Sequence, residues 1–204
     1  MTSWISSIVL GIRIYMVIAG VFCVPCEGIK VMITKKFNPL RFVISQLFIL
    51  YMVCVFTLVF FPLPSLAQIA NLTYNLQKIP FFFVSDIIKN FSFETVFQVL
   101  FNIALTVPFG MVLRYVGGMT VRKATIITLF LSIIIEVGQL TGLFFIYPGS
   151  YRVCDVDDLI LNTLGGFLGS VLAAKLEGIL PVLCSYEMDL RRTRIMANKK
   201  IFQV

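Results

Sequence analysis

Hydrophobic positions along this chain gather into five long runs, and the stretches between them hold most of the Lys, Arg and Pro. A helix needs about 20 predominantly apolar residues to cross the roughly 30 Å hydrocarbon core of a bilayer. On that criterion the pattern predicts spans over residues 5–26, 42–61, 96–115, 124–147 and 156–174. Arg13 interrupts the first run and is read as a side chain that snorkels toward the near interface. The predicted fold is all-α: an integral membrane bundle of about five transmembrane helices, with the N-terminus outside and the C-terminus cytoplasmic. Its expected organisation is two N-terminal spans in residues 1–61, an external or interfacial segment in 62–95, a three-span core in 96–178 and a basic cytoplasmic tail in 179–204. Within the external segment, "FFFVSDIIKNF" is too short and interrupted to span, and is expected to lie in the interface or to dip back among the helices.

Charge sets the expected orientation. Lys30, Lys35, Lys36 and Arg41 follow the first span, Arg114, Arg122 and Lys123 follow the third, and Lys175, Arg191, Arg192, Arg194, Lys199 and Lys200 follow the fifth. The opposite side holds only Lys78, Lys89 and Arg152. Basic flanks mark the cytoplasmic side of a membrane protein, so the residues around Arg152 are expected to face outward. The formal net charge of +7 therefore reads as membrane flanks and not as a nucleic-acid surface.

Composition narrows the rest. The chain is 59% hydrophobic and 13% charged, with a mean hydropathy of +0.96, which places it in the bilayer. No cleavable signal peptide is predicted, because the first residues lack a basic flank and a cleavage site. With no histidine, Ser–His and Cys–His catalysis is excluded. Cys23 and Cys26 form a CxxC in an apolar run with no second pair, which cannot assemble a four-ligand zinc site. No cofactor is expected.

The candidate chemistry lies in "RVCDVDDLILNTLGG", residues 152–166. Asp155, Asp158 and Asn162 are spaced i, i+3, i+7 and share a helical face, which Gly165, Gly166 and Gly169 continue. The upper part of that face is polar, and the lower part is a small-residue seam that lets another helix approach. Glu136 lies 13 residues beyond Lys123, about 20 Å into the fourth span at 1.5 Å per residue, close to the depth of Asn162. Gln139 stands one turn higher, and Asn102 stands at a similar level of the third span. A carboxylate in hydrocarbon costs about 2.5–3.5 kcal/mol even on the mild insertion scale, so Glu136 needs protonation or a partner. Arg152, or Gln139 with Asn162, are the expected partners. Two readings of the layer stay open: a lock between helices, or an outward-opening ligand site built from Asn102, Glu136, Gln139, Arg152, Asp155, Asp158 and Asn162. A weaker alternative has Asp155, Asp157 and Asp158 holding Mg²⁺.

At these residues the chain resembles the VanZ-like family of bacterial membrane proteins. The resemblance rests on "FNIALTVPFGMVL" (101–113), "IEVGQL" (135–140) and "RVCDVDDLILNTLGGFLG" (152–169), in that order and spacing. "YNLQKIPF" (74–81) is similar to the segment that precedes the third span in that family, and the likeness covers roughly residues 74–175. It implies a multi-pass α-helical protein of a Gram-positive-type cell membrane. The family's name member is associated with resistance to the glycopeptide teicoplanin.

Three functions follow as expectations. The first is a non-enzymatic envelope protein that binds a lipid-anchored ligand, a glycopeptide or a lipid-linked wall precursor, with the lipid bilayer as its other partner. The second is a membrane enzyme for a lipid-linked substrate with Glu136 as general base. The third is a transporter or flippase, for which no inverted repeat is visible.

Overall fold

The computed structural model describes residues 2–35, 37–69, 72–89 and 91–176. Lys36, Asn71, Asn90, Cys184 and the basic tail lie outside the described residues. Five helices are long and apolar enough to cross a membrane. The first combines α1 (Thr2–Ile18), a π-helical turn (Ala19–Cys23) and α2 (Val24–Thr34). The others are α3 (Pro39–Phe60), α6 (Phe93–Tyr115), α7 (Val121–Leu140) and α9 (Val156–Leu176). Between α3 and α6 stand the short α4 (Leu66–Ile69), a two-residue strand β1 (Leu76–Gln77) and α5 (Phe82–Lys89). Between α7 and α9 come α8 (Gly142–Phe145) and β2 (Cys154–Asp155).

Trp4 packs edge-on against Phe101, with centroids 4.7 Å apart, so α1 begins beside the N-terminal half of α6. That end of the bundle also carries the loops rich in Asp, and is called the acidic end here. The fourth span stops short of its expected limit at 147. Gly142, Leu143, Phe144 and Phe145 all have positive φ, between 57° and 68°, and wind one left-handed turn that reverses the chain after Leu140. A left-handed turn costs about 1–2 kcal/mol for each residue with a Cβ. Packing of Phe144 beside Phe60, at 6.3 Å between centroids, helps to hold it.

The interior is assembled from small and hydroxyl residues. Thr57, Thr128, Ser132 and Ser170 are fully buried, whereas Leu100, Phe130, Ile134 and Leu168 point outward. This is the pattern expected where lipid covers the outside, since bulky apolar groups gain nothing by turning inward and close backbone approach supplies the packing. α9 packs most extensively, against α6 and then α7. A Cβ on Gly165 would strike the carbonyl of Ile103 and the hydroxyl of Thr106, and one on Gly169 would strike the carbonyl of Val107. Gly166 lies against both neighbours: a Cβ there would overlap the Thr128 side chain, while a Cβ on Gly110 would overlap the Gly166 carbonyl. Gly165, Gly166 and Gly169 thus lie where α9 approaches α6 and α7 most closely. A separate apolar cluster of Val55, Val59, Phe60 and Ile135 joins α3 to α7.

Candidate functional site

Three helices of the core each present a polar pair one turn apart: Asn102 and Thr106 on α6, Ser132 and Glu136 on α7, Asp158 and Asn162 on α9. These pairs meet. The Asn102 amide donates to the Asp158 carboxylate. Asn162 Nδ2 donates to Ser132 Oγ at 3.1 Å, and Thr106 Oγ1 donates to the Asn162 carbonyl at 2.7 Å. Glu136 accepts the backbone amide of Asp155 at 2.9 Å. Asn102, Glu136, Asp158 and Asn162, four of the expected residues, are thus brought to one region, and Ser132 and Thr106 stand with them. Both were legible, since each lies four residues along the helix from a polar residue already on that face.

Above this layer the start of α9 is built from its own acids. Asp155 Oδ1 accepts the amide of Asp157 at 2.8 Å, which caps the helix. Asp157 turns away from Asp155 and accepts the amides of Phe81 at 2.5 Å and Phe83 at 3.0 Å. One buried carboxylate thereby closes the first turn of α5, and its charge is placed where that helix end favours an anion. The connection is reinforced by parallel pairing of β1 with β2, Leu76 opposite Cys154 and Gln77 opposite Asp155. Residues 74–83 are thus fastened across the mouth of the acidic layer.

The Cys154 thiol lies among these carboxylates. Burial comes first, then Glu136 through its charge and a hydrogen bond, then Asp155 and Asp158, and together they push the thiol up to about 12. Burial also raises the carboxyl of Asp155, against the opposing Asp157 amide. Asp155, Asp157 and Asp158 engage different partners. Among the described residues no group of three or more His, Cys, Asp or Glu is arranged to hold a metal ion.

Two expected partnerships are corrected. Among the described residues Arg152 makes no ion pair; its Nη2 donates to the Phe61 carbonyl at 2.5 Å. Gln139 likewise leaves the Glu136 layer and donates to the Val59 carbonyl at 3.3 Å. Tyr151 donates to the Phe60 carbonyl at 3.0 Å. Three successive carbonyls at the end of α3 are therefore satisfied from distant segments, and the guanidinium sits where the helix dipole favours a cation. The reason is geometric: Gln139 lies three residues beyond Glu136, a turn of about 300°, which aims it toward α3. Two buried acceptors, Gln139 Oε1 and Asn162 Oδ1, keep no hydrogen-bond partner among the described residues.

The arrangement defines a multi-pass helical membrane protein in which α6, α7 and α9 enclose a polar layer beneath a fastened connecting segment. The sequence model of the VanZ/LLP1 family matches residues 48–179, and the chain belongs to that family. No curated protein and no solved structure matches the chain.

Proposed function

We propose that the acidic end faces outward and binds a lipid-anchored envelope ligand, and that this binding contributes to glycopeptide resistance of the teicoplanin type. The orientation rests on the uneven distribution of Lys and Arg, and the phenotype on the family. The observation that carries the binding reading is that two buried acceptors lack donors among the described residues, Asn162 Oδ1 in the polar layer and Gln139 Oε1 toward the end of α3. Buried acceptors without donors are costly to keep, at about 1–3 kcal/mol each, and a ligand with amide or hydroxyl donors would relieve them. The acyl tail of a lipoglycopeptide, or of a lipid-linked wall precursor, would rest on the exposed Phe144, Phe145 and Ile146.

A second reading is favoured by the cross-helix bonds themselves. Asn102 to Asp158 and Asn162 to Ser132 each tie two helices, which a purely structural lock would also do. Glycopeptide susceptibility of a host with and without the gene tests the function. Glu136→Gln, with membrane abundance measured alongside, separates the readings. Loss of resistance at unchanged abundance is expected, because Gln keeps the shape and removes the charge. Full resistance with Glu136→Gln would leave only the structural lock, with Glu136→Ala and Asn162→Leu lowering abundance and resistance together.

A further inference from the structure

Arg152 is a half-buried cation that makes no ion pair among the described residues. Its guanidinium is held to the Phe61 carbonyl, and burial pulls its proton affinity below the usual arginine value. It also lines a cleft of about 730 Å³ at the acidic end, walled by Pro62, Leu63, Leu72, Thr73, Asn75 and Val153. None of the wall residues is acidic, although Asp155 and Asp157 are only a few positions away. Those carboxylates are drawn off to the amides of α5 and α9, so the single charge facing the cleft is positive. A guanidinium presents five donors, and one carbonyl cannot occupy them, so the remainder suit the oxygens of a phosphate group. The rest of the wall is mixed, with the amide of Asn75 and the hydroxyl of Thr73 beside apolar Leu63 and Leu72. Leu63 and Val153 are also exposed at the rim, which suits a chain continuing from the phosphate into lipid.

We propose that this cleft is a binding site for the phosphate group of a membrane lipid, with Arg152 as its counter-ion. The inference rests on the outward-facing lipid-ligand reading above and names the headgroup chemistry of that ligand. It selects a phosphate-bearing lipid over an uncharged one and separates this subsite from the carboxylate layer, which an anion would avoid.

The test uses the full chain in dodecyl maltoside micelles, which carry no phosphate, doped with a short polyprenyl phosphate or with the matching polyprenyl alcohol, and reads bound lipid by native mass spectrometry. The phosphate is expected to bind and the alcohol not. Arg152→Gln should weaken phosphate binding by about tenfold or more. Because Arg152 also holds α3, a second variant avoids its bond: Thr73→Glu places an opposing charge at an exposed position of the same wall and should weaken binding similarly. Undiminished binding in a folded Thr73→Glu protein would overturn the site. Equal binding of the alcohol would remove the phosphate while leaving the lipid-ligand reading standing. Displacement of the lipid by millimolar inorganic phosphate would assign the cleft to a free anion and overturn the lipid source. A host without any glycopeptide phenotype would remove the proposed function and leave this binding result untouched.

Discussion

Asp157, at the start of the last span, caps α5 through the amide of Phe83, 74 positions earlier in the chain, at 3.0 Å. The same carboxylate takes the Phe81 amide. Its side chain therefore acts as a clasp between the start of α9 and residues 81–83. Asp157→Ala should release that segment. Hydrogen bonds to a charged group are worth about 1.5–3 kcal/mol each, so the loss is large for a short helix. Trypsin cleavage after Lys78 and Lys89 in the detergent-solubilised protein should accelerate, with Asp157→Asn intermediate. Equal cleavage in wild type and Asp157→Ala would show that β1–β2 pairing alone holds the segment.

The glycine seam predicts a contrast between neighbours. Gly166→Leu should sharply reduce membrane accumulation, because any Cβ overlaps Thr128 and overpacking of a close contact costs about 1–3 kcal/mol or more. Leu168→Ala, at a position 44% exposed on the lipid side, should change little. Thermal stability in detergent measures both, and equal values would contradict the seam.

Cys154 should be inert as a thiol. With its pKa pushed up to about 12, it stays protonated at pH 8, and burial blocks access as well. In a variant that keeps only this cysteine, maleimide should label it slowly when native and rapidly after denaturation in SDS. Rapid native labelling would mean that the carboxylate layer opens to water far more readily than the packing indicates.

Orientation is open to direct measurement. Single cysteines replacing Arg122 and Lys78, both exposed, should divide under an impermeant thiol reagent applied to intact cells. Position 78 should label and position 122 should not. The reverse would invert the topology and move the acidic end inside.

Much of this architecture was present in local pattern. Apolar length fixed five spans, because a helix satisfies its backbone within itself and needs only enough hydrophobic residues to match the bilayer. Helical spacing likewise set Asn102, Glu136, Gln139 and Asn162 at a shared depth and put Gly165, Gly166 and Gly169 on one face, since the rise and the 3.6-residue period decide depth and face. Partnerships were another matter. Arg152 is bonded to Phe61, 91 positions away, although the nearest acids in sequence are within six residues. Asp157 left its neighbouring acids for the amides of α5, and Gln139 turned toward the end of α3. Each of these groups is shared out by where free amides and carbonyls fall once helices end, and helix ends are brought together only by the packing of the whole bundle. The sequence by itself determined which residues would be polar and how deep they would lie; the tertiary structure alone decided which orphaned backbone group each of them would satisfy.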